Sequence, residues 1–244
     1  MVDKYKIMVL LKQSFTTTGT ITISDDGLVS CTGYVILRVS KHKRLLVSFD
    51  KIDDFFYCSY NQLTTLQGAP KSVGGDFFCW NNQLTTLEHS PQSVHGSFDC
   101  SYNQLTTLEG APQSVGGNFY CYNNQLTTLE HSPQRVVGSF SCSDNQLTKL
   151  EGAPKSVGNR FDCYDNKLTT LEGMPVVPGT LRLSHRRKLP LLRCLLAQKV
   201  EFVPRQRNKT VENILNKHTG KGKRAMFDCQ KELEDAGFTE NARW

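Results

Sequence analysis

"FYCYNNQLTTLEHSPQRVVG" (Phe119–Gly138) sets an aromatic, a cysteine, an asparagine, two leucines, a proline and a valine at fixed spacings. Relative to Cys121, Phe119 lies two residues before and Asn124 three after. Leu126 and Leu129 lie five and eight after, Pro133 twelve after and Val136 fifteen after. The pattern returns every 21 residues without a slip, through Cys58, Cys79, Cys100, Cys121, Cys142 and Cys163. Phe56, Phe77, Phe98, Phe119, Phe140 and Phe161 accompany these cysteines, as do Asn61, Asn82, Asn103, Asn124, Asn145 and Asn166. A period of this length is the signature of a solenoid, in which each unit buries its apolar side only against its neighbours.

The spacing also says what one unit builds. Phe and Cys two apart face the same side of a short strand. The Asn is polar yet occupies a core register. Its side chain can satisfy backbone groups freed as the chain turns out of the strand, and a stack of such residues gives a hydrogen-bonded ladder. Proline and the pairs Gly74-Gly75 and Gly116-Gly117 set a tight return. The leucine-rich-repeat pattern L-x-x-L-x-L-x-x-N-x-L-x-x-L overlays the unit with one extra residue between Val115 and Phe119. The predicted fold is therefore a leucine-rich-repeat solenoid, β-rich within the α/β superclass. About eight short parallel strands line the concave face, the convex side is extended, and a small α-helical cap closes the C-terminal end. Eight strands at ~4.8 Å spacing span about 38 Å.

Degenerate units flank the clean ones. Val35, Leu37, Leu45 and Ile52 fall one period before Phe56, Cys58, Leu66 and Val73, with Ser40 in the Asn place. Downstream, Leu181 and Leu183 keep the in-out alternation one residue out of register. These atypical units are read as caps. The division expected is residues 1–30 as an N-terminal arm, 31–193 as solenoid with clean units over about 52–175, and 194–244 as a basic helical cap. A second alternation sets "GAP" units at 68–70, 110–112 and 152–154 against "HSP" units at 89–91 and 131–133. Recent duplication accounts for it, and His89 and His131 are expected in the outer turn.

Nine cysteines would suit a secreted disulfide protein, but six share one register and should stack rather than pair. They read as small buried hydrophobes. No C-x-x-C and no zinc-spaced Cys/His set is present, so neither metal nor cofactor is expected. No apolar run approaches the ~20 residues of a membrane span. "IMVLL" is hemmed in by Lys4, Lys6 and Lys12 and is too short for a signal-peptide core, so an intracellular chain is expected. The net charge of +6 is uneven: residues 55–175 carry 6 basic and 10 acidic side chains, residues 176–244 carry 15 and 7.

With these residues in hand, "FxCxxNQLTTLEGAPxSVGG" resembles the leucine-rich-repeat chains of tailed bacteriophages and prophages. The likeness covers roughly residues 25–244, including "ISDDGLVSCTGYVILR" and the ending "ILNKHTGKGKRAMFDCQKELEDAGFTENARW". The repeat is also similar to the short repeats of type III secreted effectors, without room for their ubiquitin-ligase domain. The resemblance implies a solenoid of phage origin, acting in the cytoplasm of an infected bacterium.

Function is expected at the positions the template leaves free. On the strand, the residues on either side of each Cys face outward. Tyr57, Phe78, Asp99, Tyr120 and Asp162 precede a Cys, and Trp80, Tyr122 and Tyr164 follow one. Tyr60, Tyr102, Asp144 and Asp165 flank them. Aromatics on an exposed sheet pack across strands and support it. Tyr and Trp are also the usual anchors of protein interfaces. The acids favour a protein partner with a basic surface over nucleic acid.

The C-terminal region reads as a short helix from Pro190, a strand, and a helix capped by Thr210 with Val211, Ile214 and Leu215 on one side. A last helix carries Met226, Cys229, Leu233 and Ala236 and stops at Gly237. Arg186, Arg187, Lys188, Arg205, Arg207, Lys209, Lys221, Lys223 and Arg224 could form a patch for phosphate or an acidic protein. "GKGK" is not a P-loop, since it lacks the G-x-x-x-x-G-K-[ST] frame. No nucleophile, base and oxyanion set is recognisable. The expectation is a non-enzymatic protein that blocks or redirects a host protein, an anti-phage defence protein among the candidates. The alternative is a nucleic-acid-binding accessory protein working through the basic C-terminal region.

Overall fold

The computed structural model describes residues 2–203 and 208–243. Among these residues the 21-residue units stack as coils, and each coil contributes a two-residue strand to each of two sheets. Pairing in the first sheet is parallel and in strict repeat register, with Phe56 opposite Phe77, then Phe98, Phe119, Phe140 and Phe161. All six rings are fully buried. They form a continuous stack with centroids 5.2–5.6 Å apart and planes within 8–22° of parallel. Each such contact contributes about 0.5–1.5 kcal/mol beyond area burial. Phe49 meets Phe56 edge-on at 5.2 Å, and Phe15 meets Phe49 in the same way, so the stack ends on crossed rings.

The eight expected strands, from Val35–Leu37 to Val177–Leu183, are present, and the first sheet gains one more at each end. Phe15–Thr17 adds antiparallel to Val35–Leu37 at one end, and Ala197–Phe202 adds beside Val177–Leu183 at the other. The expected degenerate units are present: Val35 pairs with Phe56, Ile52 with Val73, and Leu181 with Phe161, 20 residues on instead of 21. The extended return side is itself a sheet of eight strands, because the Ser-Val pairs such as Ser72–Val73 and Ser93–Val94 hydrogen-bond coil to coil. The valines of these pairs point inward and complete the core with the Phe, Cys and Leu registers.

The Asn register does more than close its own turn. Each Asn Nδ2 donates to the Cys carbonyl of its own coil, and from Asn82 onward also to the Cys carbonyl of the coil before. From Asn82 onward its Oδ1 accepts a Leu N–H of that preceding coil at 2.9–3.0 Å. The ladder therefore runs from amide to backbone, coil by coil. The 42-residue alternation also has a physical counterpart. His89 and His131 take the left-handed turn position that Gly68, Gly110, Gly152 and Gly173 hold in the other coils. At Gly110 a Cβ would lie 2.4 Å from Leu87 backbone atoms. The serine after each histidine donates its hydroxyl to the next coil's glycine carbonyl, Ser90 to Gly110 and Ser132 to Gly152.

Both ends are capped. Helix α1 (Lys4–Ser14) starts at Asp3, whose carboxylate accepts the Lys6 N–H at 3.0 Å, and it sets Leu11 into the core. At the other end a 3-10 helix (Leu192–Leu196) leads into the last strand, then α2 (Lys209–His218) and α3 (Gly222–Asp235). Val211, Ile214 and Leu215 of α2 are buried as expected. The cap residue of α2 is Asn208 in a left-handed conformation, so Thr210 lies inside the first turn. Cys229 and Leu233 of α3 are buried while Ala236 is exposed, because the helix ends before it and Gly237 turns the chain at φ 82°. No helix among the described residues is long and apolar enough to cross a membrane.

Candidate functional site

The outer side of the first sheet carries the varied residues, as the alternation around each Cys requires. The cysteines themselves are free and buried, and burial pushes the ladder thiols from Cys58 to Cys163 well up. A thiol so shielded is a poor nucleophile.

The residue two after each Cys is left-handed in all six clean coils: Tyr60, Asn81, Tyr102, Asn123, Asp144 and Asp165, with φ of 49–55°. Asn and Asp suit this conformation, because a short polar side chain bonds locally; a tyrosine does not. Tyr60 and Tyr102 are nevertheless there, 50% and 48% exposed. Each lies edge-on to an aromatic of the next coil, Tyr60 to Trp80 at 4.2 Å and Tyr102 to Tyr122 at 5.3 Å. Tyr57 meets Phe78 at 6.0 Å, and Tyr120 meets Tyr122 at 6.2 Å. Serines, all buried, follow the Cys in the alternate coils (Ser59, Ser101 and Ser143), so large rings have small neighbours.

The acids separate into three settings. Asp162 is 9% exposed. Its Oδ2 is 3.4 Å from Arg182 Nη1, while its Oδ1 has no hydrogen-bond partner. Burial lifts its carboxyl above the ordinary range despite Arg182 and Arg160. Arg182 also lies 3.5 Å from Glu201 and 5.1 Å over the Tyr164 ring. Asp99 is half-buried, and its Oδ1 accepts the Ser101 N–H at 2.9 Å and the Ser101 hydroxyl. Burial raises its carboxyl, with those bonds opposing. Asp144 and Asp165 occupy the left-handed turn; burial and Asp165 raise the Asp144 carboxyl, and Asp165 is bonded to Ser184 at 3.0 Å. The face is thus less negative than its acid count, since Arg182 neutralises its C-terminal end. Sequence reasoning missed Arg182, although its place between inward Leu181 and Leu183 marks it as outward-facing.

The basic residues fall on separate elements. Arg186, Arg187 and Lys188 are exposed in the turn after Val177–Leu183, with the Arg186 guanidinium bonded to the Asn166 carbonyl. Lys221 and Arg224 are exposed at the start of α3, and Lys209 at the start of α2. Arg205, Arg207 and the Lys223 side chain lie outside the described residues. A cleft of about 570 Å³ lies between this turn and the C-terminal tail, lined by His185, Arg187, Asn208, Phe238, Thr239 and Asn241 among others. The His185 ring packs edge-on against Phe202 at 5.2 Å, and burial lowers its pKa. Among the described residues no group of three or more His, Cys, Asp or Glu is placed to hold a metal ion.

No protein-family model, curated protein or solved structure matches this chain.

Proposed function

We propose that this chain is a non-enzymatic protein-binding module whose ligand surface is the outer side of the first sheet. One observation carries the reading: Tyr60 and Tyr102 stand half-exposed at a left-handed position that the other four coils give to Asn or Asp. A bulky side chain there costs about 1–2 kcal/mol of backbone strain. The solenoid does not need it, since the coils with Asn or Asp stack in the same register. Strain offset only by one edge contact at each site, where coil register does not require a ring, supports a binding role, and aromatic anchors set among near-neutral neighbours are how protein interfaces concentrate their affinity. In this proposal the resemblance to phage chains supplies the setting: the partner is a host bacterial protein, a defence protein among the candidates, met in the host cytoplasm and blocked or redirected by occlusion.

The test is capture from nuclease-treated bacterial lysate by the tagged full chain and by Trp80→Ala/Tyr122→Ala. A discrete protein retained by the wild type and lost with the variant supports the reading. Equal capture by both opposes it, and no retained protein, together with nucleic acid co-purifying from lysate not treated with nuclease, moves function to the basic C-terminal region.

A further inference from the structure

We infer that Asp99 is the docking point for an arginine side chain of the partner protein, received between the carboxylate and the Tyr120 and Tyr122 rings. The inference rests on the protein-binding reading above and names the chemistry of its centre.

Elsewhere on the same face the chain itself sets an arginine between a carboxylate and a tyrosine ring. Asp162 lies one residue before Cys163 and Tyr164 one after. Arg182, directly across from Asp162 in the next strand, reaches its carboxylate at 3.4 Å and covers the Tyr164 ring at 5.1 Å. Asp99 holds the same register, one residue before Cys100. Its neighbours across the two adjoining strands are Phe78 and Tyr120, so a tyrosine stands where Arg182 stands for Asp162, and Ser101 takes the place of Tyr164; the rings near Asp99 come from the next coil and the cation is missing. The influences on the Asp99 carboxyl are burial and Ser101, with no cation among them. Both of its hydrogen bonds fall on Oδ1, and among the described residues Oδ2 accepts none.

A half-buried carboxylate without a counter-ion is unfavourable, and a cation that reaches it relieves the cost. The surrounding rings decide which cation. Tyr57, Tyr120 and Tyr122 all feel the Asp99 charge. A guanidinium is planar and weakly hydrated; it stacks on aromatic faces while its edge donates to a carboxylate. A lysine ammonium would meet the acid but would lose its hydration against the rings. Asp162 is closed to a visitor because Arg182 already occupies it.

The test titrates the full chain with N-acetyl-argininamide and with its neutral isostere N-acetyl-citrullinamide, following side-chain carboxyl carbons by NMR. The expected result is a saturable shift at Asp99 with the arginine probe only, and at least tenfold weaker binding in Asp99→Asn, whose Oδ1 can keep both Ser101 bonds. Equal responses to the two probes, or shifts confined to the exposed acids, would overturn the inference. Partner capture separates this inference from the reading beneath it. Capture lost in Trp80→Ala/Tyr122→Ala but untouched by Asp99→Asn overturns the arginine site and leaves protein binding standing. Selective arginine binding at Asp99 without capture of any partner leaves the site standing and removes the support for protein binding.

Discussion

The Asn124 side-chain oxygen accepts the Leu105 N–H at 3.0 Å, so one coil holds the backbone of the coil before it. Its Nδ2 donates at 3.1 Å to Cys100 of that coil and to Cys121 of its own. All of these groups are buried. Asn124→Leu keeps the volume close but removes every partner, at a cost of about 1–3 kcal/mol for each buried group left unpaired. Urea unfolding should show a clear loss of stability. An unchanged midpoint and slope would contradict the role assigned to this register.

The thiols give a second check. Six ladder cysteines and the remaining three are buried and free. The ladder thiols are held protonated by burial, and the Cys229 thiol is pushed up to about 11. The folded protein should therefore react with an aromatic disulfide reagent at neutral pH far more slowly than the denatured chain. Denaturation should expose all nine thiols. Rapid reaction of several thiols in the folded state would mean that the coils open readily or are stacked differently.

Asp99 links stability to pH in a definite direction. Its carboxyl is raised in the folded state above the ordinary value of 3.8. An acid with a raised folded pKa opposes folding once it ionises, so its cost is absent below the unfolded pKa. The cost grows as pH rises through the window between the two pKa values and is then constant. Asp99→Asn should accordingly be more stable than the wild type at neutral pH, with the difference vanishing in acid. A stability difference independent of pH would contradict the burial assigned to this carboxylate.

The fold was legible because the repeat is long, clean and periodic. Phe, Cys, Asn, Leu, Pro and Val each announce a buried position by recurring six times or nearly so, and the degenerate unit around Val35 and Ile52 was visible in the same register. The second sheet was not, because Ser-Val pairs are too short to show alternation. Helix α1 has no repeat to reveal it, and its apolar side is shallow, with only Leu11 fully buried. The proposed binding face was half legible. Alternation around Cys identified the outward residues, but it could not show that Arg182 reaches back across one strand to Asp162. The left-handed turn left a trace in Asn81, Asn123, Asp144 and Asp165, residue types that favour positive φ. Against that trace Tyr60 and Tyr102 are the exceptions.

The most direct measurement is a paired one on Tyr60→Asn/Tyr102→Asn. At each site the change relieves about 1–2 kcal/mol of left-handed strain and removes an edge contact of about 0.5–1.5 kcal/mol. Unfolding free energy should stay within about 1 kcal/mol of the wild type, while capture of the partner protein is lost. A variant that unfolds alike and still captures the partner would contradict the claim that this face is the binding surface.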